Sequence, residues 1–128
     1  MSEYTGSITP NGVILETHEM ATVVFLTEIG FDIELIPKSN IEGIHSPDII
    51  MAGHEWEMKS PTGEGKWLIK NTFQTASRQS ENIIIDLRRI KLPQERCLRE
   101  LNRQFSFSKR VKRMWIITKA KKLLVMEK

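Results

Sequence analysis

Six consecutive residues, Asn82-Ile83-Ile84-Ile85-Asp86-Leu87, constrain this chain most. A nearly continuous apolar run, three of its residues β-branched isoleucines, reads as a strand buried on both sides, and such a strand belongs in the middle of a sheet. Covering both faces takes amphipathic helices, and three segments have the period for it. Residues 15–29 carry Met20, Val23, Val24 and Ile29 near helical spacing, with Gly30 where a helix ends. Residues 67–80 put Leu68, Ile69, Phe73 and Ala76 or Ser77 on one side and Lys70, Gln74 and Arg78 on another. Residues 93–105 align Leu98, Leu101 and Phe105, keep Arg96, Arg99, Glu100 and Arg103 off that stripe, and begin with a proline suited to a first turn. Further strands are expected at 31–36, closed by Pro37 and with Asp32 and Glu34 on a wet face, and at 114–118 and 123–126 on either side of a Lys-rich turn. Residues 1–13, polar and holding Gly6, Pro10 and Gly12, read as a loose lead-in.

Between the first and second helices the stretch Ser46-Pro47-Asp48-Ile49-Ile50-Met51-Ala52-Gly53-His54-Glu55-Trp56-Glu57-Met58-Lys59-Ser60-Pro61 reads as a hairpin about Ala52-Gly53. A two-residue loop pairs Met51 with His54, Ile49 with Trp56 and Asp48 with Glu57; a three-residue loop would shift that register by one. In the first register one face carries Ile49, Met51, Trp56 and Met58, a core surface. The other carries Asp48, Glu55, Glu57 and Lys59 around Ile50. Two carboxylates facing each other across strands repel by up to about 1 kcal/mol, so the pair calls for a compensating cation, and a divalent metal would supply it. Oxygen ligands favour magnesium or manganese over soft metals, with zinc as a second choice. Lys38–Ser46 is expected to be a loop in which His45 faces solvent, and His54 reads as structural.

The order helix, strand, strand, strand, helix, strand, helix, strand, strand describes an α/β (α+β) mixed sheet flanked by helices on both sides. At 128 residues this suits one domain. Cys97 is the only cysteine, which excludes an intrachain disulfide and a cysteine-based zinc site. No apolar run reaches the length of a membrane helix, and an N-terminus containing Glu3 lacks a signal-peptide pattern, so a soluble chain with no membrane partner is expected. Of the Walker phosphate loop only Gly65-Lys66 is present, which argues against nucleotide hydrolysis.

Charge is divided unevenly. Residues 1–87 hold 13 Asp/Glu and 5 Lys/Arg, whereas residues 88–128 hold 3 Asp/Glu and 14 Lys/Arg. An acidic half beside a basic half suits an enzyme that grips a polyanion next to a metal site; the plainer reading is a solvated surface with uneven signs. In the functional reading Arg88, Arg89, Arg110, Lys112 and Arg113 contact phosphates. Lys66, Lys70, Gln74 and Gln79 of the second helix and its approach hold substrate or order water.

Pro47-Asp48 followed by Glu57-Met58-Lys59 resembles the signature of the PD-(D/E)XK nuclease superfamily. The similarity extends through His18-Glu19, Gly30-Phe31-Asp32-Ile33-Glu34-Leu35-Ile36-Pro37, Trp56 to Pro61, and Gln79 to Arg89, which resemble the toxic C-terminal nuclease domains of CdiA-type contact-dependent growth inhibition proteins. That resemblance implies a PD-(D/E)XK core, with Asp48 and Glu57 as catalytic metal ligands, Lys59 as the catalytic lysine and Glu19 as a third carboxylate from the first helix. Glu16 is the rival for that last position, and a first-turn acid there also serves the helix dipole. It further implies a nucleic-acid substrate, tRNA in preference to DNA, an immunity protein as partner, and action in the cytoplasm of a target cell after delivery within a larger toxin. Two other readings stand beside it: a DNA endonuclease on the same core, and a non-catalytic nucleic-acid-binding or immunity-type module whose acidic hairpin is only a wet sheet face.

Overall fold

The computed structural model describes residues 5–128. β5 (Asn82–Asp86) is buried along its whole length between two parallel neighbours, β4 (His54–Lys59) and β6 (Arg113–Ile117). Each of its fully buried isoleucines is worth about 1.5–3 kcal/mol relative to an exposed one, so the apolar run positions the sheet. On one side the sheet continues through β3 (Ile49–Met51), β2 (Ile33–Leu35) and β1 (Ile8–Thr9), and on the other it ends in β7 (Leu123–Glu127), giving a seven-stranded mixed sheet in the order β1 to β7. β1 is parallel to β2, and the pairs β2–β3, β3–β4 and β6–β7 are antiparallel.

The crossovers β4 to β5 and β5 to β6 run through α2 (Leu68–Gln79) and α3 (Gln94–Phe107), which bury Ile69, Phe73, Cys97, Leu101 and Phe105 against Ile83 and Ile85 on one face. α1 (Thr17–Glu28) covers the other face, where Val23 and Leu26 meet Ile49, Met51, Trp56, Ile84 and Trp115. The arrangement is a mixed α+β fold. The buried stripe of α1 differs from the expected one: Met20, Val24 and Ile29 are partly exposed, whereas Val23, Phe25 and Leu26 are inside. Apolar residues lie all around this helix, so its period alone does not choose the face.

The loose lead-in is a second difference. Residues 1–4 of it lie outside the described residues. From Gly6 onward it is docked: the Gly6 amide donates to Thr27 O at 2.7 Å, and Ile8 and Thr9 pair with Ile33 and Glu34. A side chain at Gly6 would begin 1.7 Å from Phe31 O, so only glycine allows this close approach.

Candidate functional site

The hairpin turns at Ala52 and Gly53, both with positive φ (51° and 79°), as a two-residue primed turn requires. The register is Met51 with His54, Ile50 with Glu55 and Ile49 with Trp56, as the two-residue loop predicts. The ladder then stops one pair early. Asp48 occupies a bend, where its amide donates to Trp56 O at 2.8 Å and its Oδ2 accepts the Met58 amide at 2.8 Å. The side chain thus takes a backbone acceptor's place and is fixed beside Glu57 instead of forming the next ladder pair with it.

The face expected to be wet is largely covered here. Asp48 is 6% exposed and Glu57 3%, because α2 lies over this side of β4. Both carboxylates line a cavity of about 520 Å³ whose wall α2 forms with Leu68, Asn71, Thr72, Thr75 and Gln79. Buried charges need partners. Lys38 Nζ lies 3.3 Å from Asp48 Oδ1, His45 Nε2 3.1 Å from Glu57 Oε1, and Lys59 Nζ 3.2 Å from Glu57 Oε2. The compensating charge expected from a metal alone therefore comes, in this state, from side chains.

Compensation is incomplete. Burial, and then the neighbouring Asp48 charge, push the Glu57 carboxyl above its ordinary range despite the bonds from His45 and Lys59. Burial opposes the Lys38 ammonium, yet Asp48, then Glu19 and Glu57, raise its pKa. One ammonium group thus senses three carboxylates, and its surroundings are those a small cation would meet. Hard oxygen donors side by side, with Glu57 unfavourable when ionised, fit a divalent cation. Among the described residues no group of three His, Cys, Asp or Glu stands ready around one point, so a cation held by these carboxylates would have to take the places of Lys38 and His45.

Glu19 lines the same cavity, while its Oε1 accepts the Glu16 amide at 3.0 Å and caps α1. Glu16 lies outside the cavity, 3.6 Å from His18. Of the expected substrate residues, Gln79 lines the cavity; Lys66, Lys70 and Gln74 do not. The basic residues assigned to phosphates each make intramolecular bonds. Arg88 pairs with Asp86 at 2.8 Å, and Arg89 donates to Ser60 O at 2.6 Å. Arg110 donates to Ser77 O, and Lys112 to Lys109 O at 3.3 Å. Arg113 reaches Asn82 Oδ1 at 3.2 Å and Glu127 at 3.9 Å. Sequence reasoning missed Lys38 and His45, which lie in an aperiodic loop and whose one signal was closeness in the chain to Asp48. It also missed Asn71, Thr72 and Thr75.

Fold and site together define a mixed α+β domain with a buried, incompletely neutralised carboxylate pair at the carboxyl end of β4. The family model for the contact-dependent growth inhibition CdiA C-terminal domain matches residues 45–123, and the chain belongs to this family of toxin domains. The match takes in Asp48, Glu57 and Lys59 and begins at His45, beyond Glu19 and Lys38. A chain of the CdiA-CT/CdiI toxin and immunity complex from Burkholderia pseudomallei shares the fold at a TM-score of 0.69 and 16% identity, with 96% of this chain and 100% of that chain covered. Comparison with curated proteins gives no match. Among the described residues no helix is long and apolar enough to cross a membrane.

Proposed function

We propose that this toxin domain is a metal-dependent nuclease with a PD-(D/E)XK core that cleaves phosphodiester bonds in RNA, tRNA first among them. The observation that carries the reading is the buried pair Asp48 and Glu57, with Glu57 held above its ordinary pKa and Lys59 at 3.2 Å. Structural ion pairs lower a carboxyl's pKa, whereas an acid left repelled by its neighbour is the kind found in sites that bind cations. Asp48 and Glu57 would hold the metal, with Glu19 lining the same cavity. Magnesium or manganese, with zinc second, would supply charge for the attacked phosphoryl group and a more acidic water when bound. Lys59 orients the attacking water and counters charge developing on phosphorus as the P–O bond to the leaving oxygen breaks. Asn71, Thr75 and Gln79 offer hydrogen bonds to phosphate oxygens from the facing wall, whereas the Thr72 hydroxyl donates to Leu68 O at 2.8 Å. Lys38 and His45, which now contact Asp48 and Glu57, would have to give up those contacts for a cation to bind there.

The preference for tRNA rests on the resemblance to CdiA-type nuclease toxins. The neighbour solved as a toxin and immunity complex supports an immunity protein as the domain's natural partner. Delivery as part of a larger toxin and action in the target cell's cytoplasm follow from the same reading. The test is a digest of total tRNA beside plasmid DNA, with magnesium or manganese and with or without chelator. tRNA fragments that vanish with chelator are expected. Intact tRNA and DNA would overturn the nuclease reading, and cleavage of plasmid alone would transfer it to a DNA endonuclease.

A further inference from the structure

Trp67, the residue before α2, is 57% exposed, whereas Trp56 and Trp115 stack on each other in the core with centroids 4.7 Å apart. Cations gather around the exposed ring. Lys66 Nζ lies 4.9 Å and Lys70 Nζ 5.7 Å from its centroid. Arg96, Arg99 and Arg103 come from one face of α3 and, with Lys66 and Trp67, line a groove of about 300 Å³ floored by Ile69 and Leu92. One acid intrudes: Glu100, 3.7 Å from Arg103. Among the described residues Arg96 and Arg99 have no ion pair or side-chain hydrogen bond, in contrast to Arg88, Arg89, Arg110 and Arg113. Both the groove and the carboxylate cavity are lined from the start of α2, the cavity by Leu68 and the groove by Trp67 and Ile69.

An exposed indole beside unpaired guanidinium groups matches the needs of an unpaired nucleotide. The ring accepts a base face in stacking, and the guanidinium forks take phosphate oxygens. A duplex keeps its base faces inside the stack and cannot use the ring. We propose that this groove binds a single-stranded segment of nucleic acid next to the scissile phosphate, with a base stacked on Trp67 and the backbone phosphates on Arg96, Arg99 and Arg103. A base entering there displaces one lysine from the ring, and that lysine then lies beside the incoming phosphate. The proposal rests on the nuclease reading above and adds how the substrate is recognised.

The test uses the full chain carrying Glu57→Gln to prevent cleavage, titrated with a single-stranded oligoribonucleotide and with its duplex. Because Trp56 and Trp115 are buried, quenching of tryptophan emission by the single strand reports on Trp67. Trp67→Ala should weaken single-strand binding roughly five- to a hundredfold, the range spanned by stacking one base, with duplex binding nearly unchanged; Trp67→Phe, which keeps a ring, should retain most of it. Reversing charge at Arg96 and Arg99 should flatten the dependence of log affinity on log salt by about 1.4. Unaltered single-strand affinity in Trp67→Ala would overturn the groove assignment alone, as would variants that keep oligonucleotide binding and lose only an acidic partner protein. No binding of either probe by the Glu57→Gln parent would overturn the nuclease reading as well.

Discussion

Two acids at the carboxyl ends of adjacent parallel strands are equally hidden, Glu57 of β4 at 3% exposure and Asp86 of β5 at 2%, yet their environments act in opposite directions. Burial alone would raise the Asp86 carboxyl, but the Arg88 and Thr22 bonds outweigh it and hold the group below the ordinary range. Thr22 Oγ1 donates to Oδ2 at 2.7 Å, and Arg88 Nε and its amide donate to Oδ1 at 3.0 and 3.1 Å. Nothing is left for a ligand to do there. Glu57 is also bonded, to His45 and Lys59, but burial and the charge of Asp48 win. Burial therefore does not separate the structural acid from the one proposed as a metal ligand. Uncompensated repulsion does.

The largest expected effect breaks the pair on the Glu57 side. Asp48→Asn or Glu57→Gln should abolish nuclease activity, while urea unfolding shows stability unchanged or raised because like-charge repulsion is gone. Full activity in either variant would remove the site assignment.

On the Asp86 side the loss should be structural. Asp86→Asn strands the Arg88 guanidinium and should cost about 3 kcal/mol, the low end for a broken buried pair because Arg88 remains partly exposed. The two variants should also differ in their pH dependence. A lowered carboxyl pKa gives stability above the ordinary value of 3.8 that fades as pH falls, so the Asp86→Asn deficit should be full at neutral pH and shrink in acid. A raised pKa penalises the ionised form, so any gain from Glu57→Gln should appear at neutral pH and vanish below 4.5, where both states of the parent are protonated. Unfolding curves at several pH values check both signs, and parallel curves would contradict the contrast.

Lys59→Met should lower turnover roughly a hundredfold, about 2.7 kcal/mol of transition-state stabilisation, with substrate affinity little changed. Steady-state kinetics on tRNA decide it, and unchanged turnover would reduce Lys59 to a surface lysine.

The smallest effect concerns the cation surrogate. Removing the Lys38 ammonium, 3.3 Å from Asp48 and in the field of Glu19 and Glu57, should tighten manganese binding about fivefold in Lys38→Met. Weaker binding would mean that Lys38 supports the site instead of occupying it.

The difference between the two acids was only half legible in the chain. The central strand, the primed hairpin and the buried faces of α2 and α3 all follow from local period and turn chemistry, which is why Ile83 to Ile85, the Met51–His54 register and Leu101 stand where expected. That period also put Asp48, Glu57 and Lys59 on one side of the hairpin. Whether this side is wet depends on where α2 packs, a long-range fact no local pattern carries. Lys38 and His45 arrive from a loop without period, and β1, two residues long, offers no alternation to read. The Arg88–Asp86 pair is close in sequence but meaningful only once Thr22 of α1 closes over it.

Calorimetric titration of manganese into the parent and into Glu57→Gln tests the central claim, that Asp48 and Glu57 form a cation site completed by a metal. Saturable binding by the parent is expected, with affinity at least about tenfold lower in the variant. Equal affinity in the two proteins, or no binding by the parent, would contradict it.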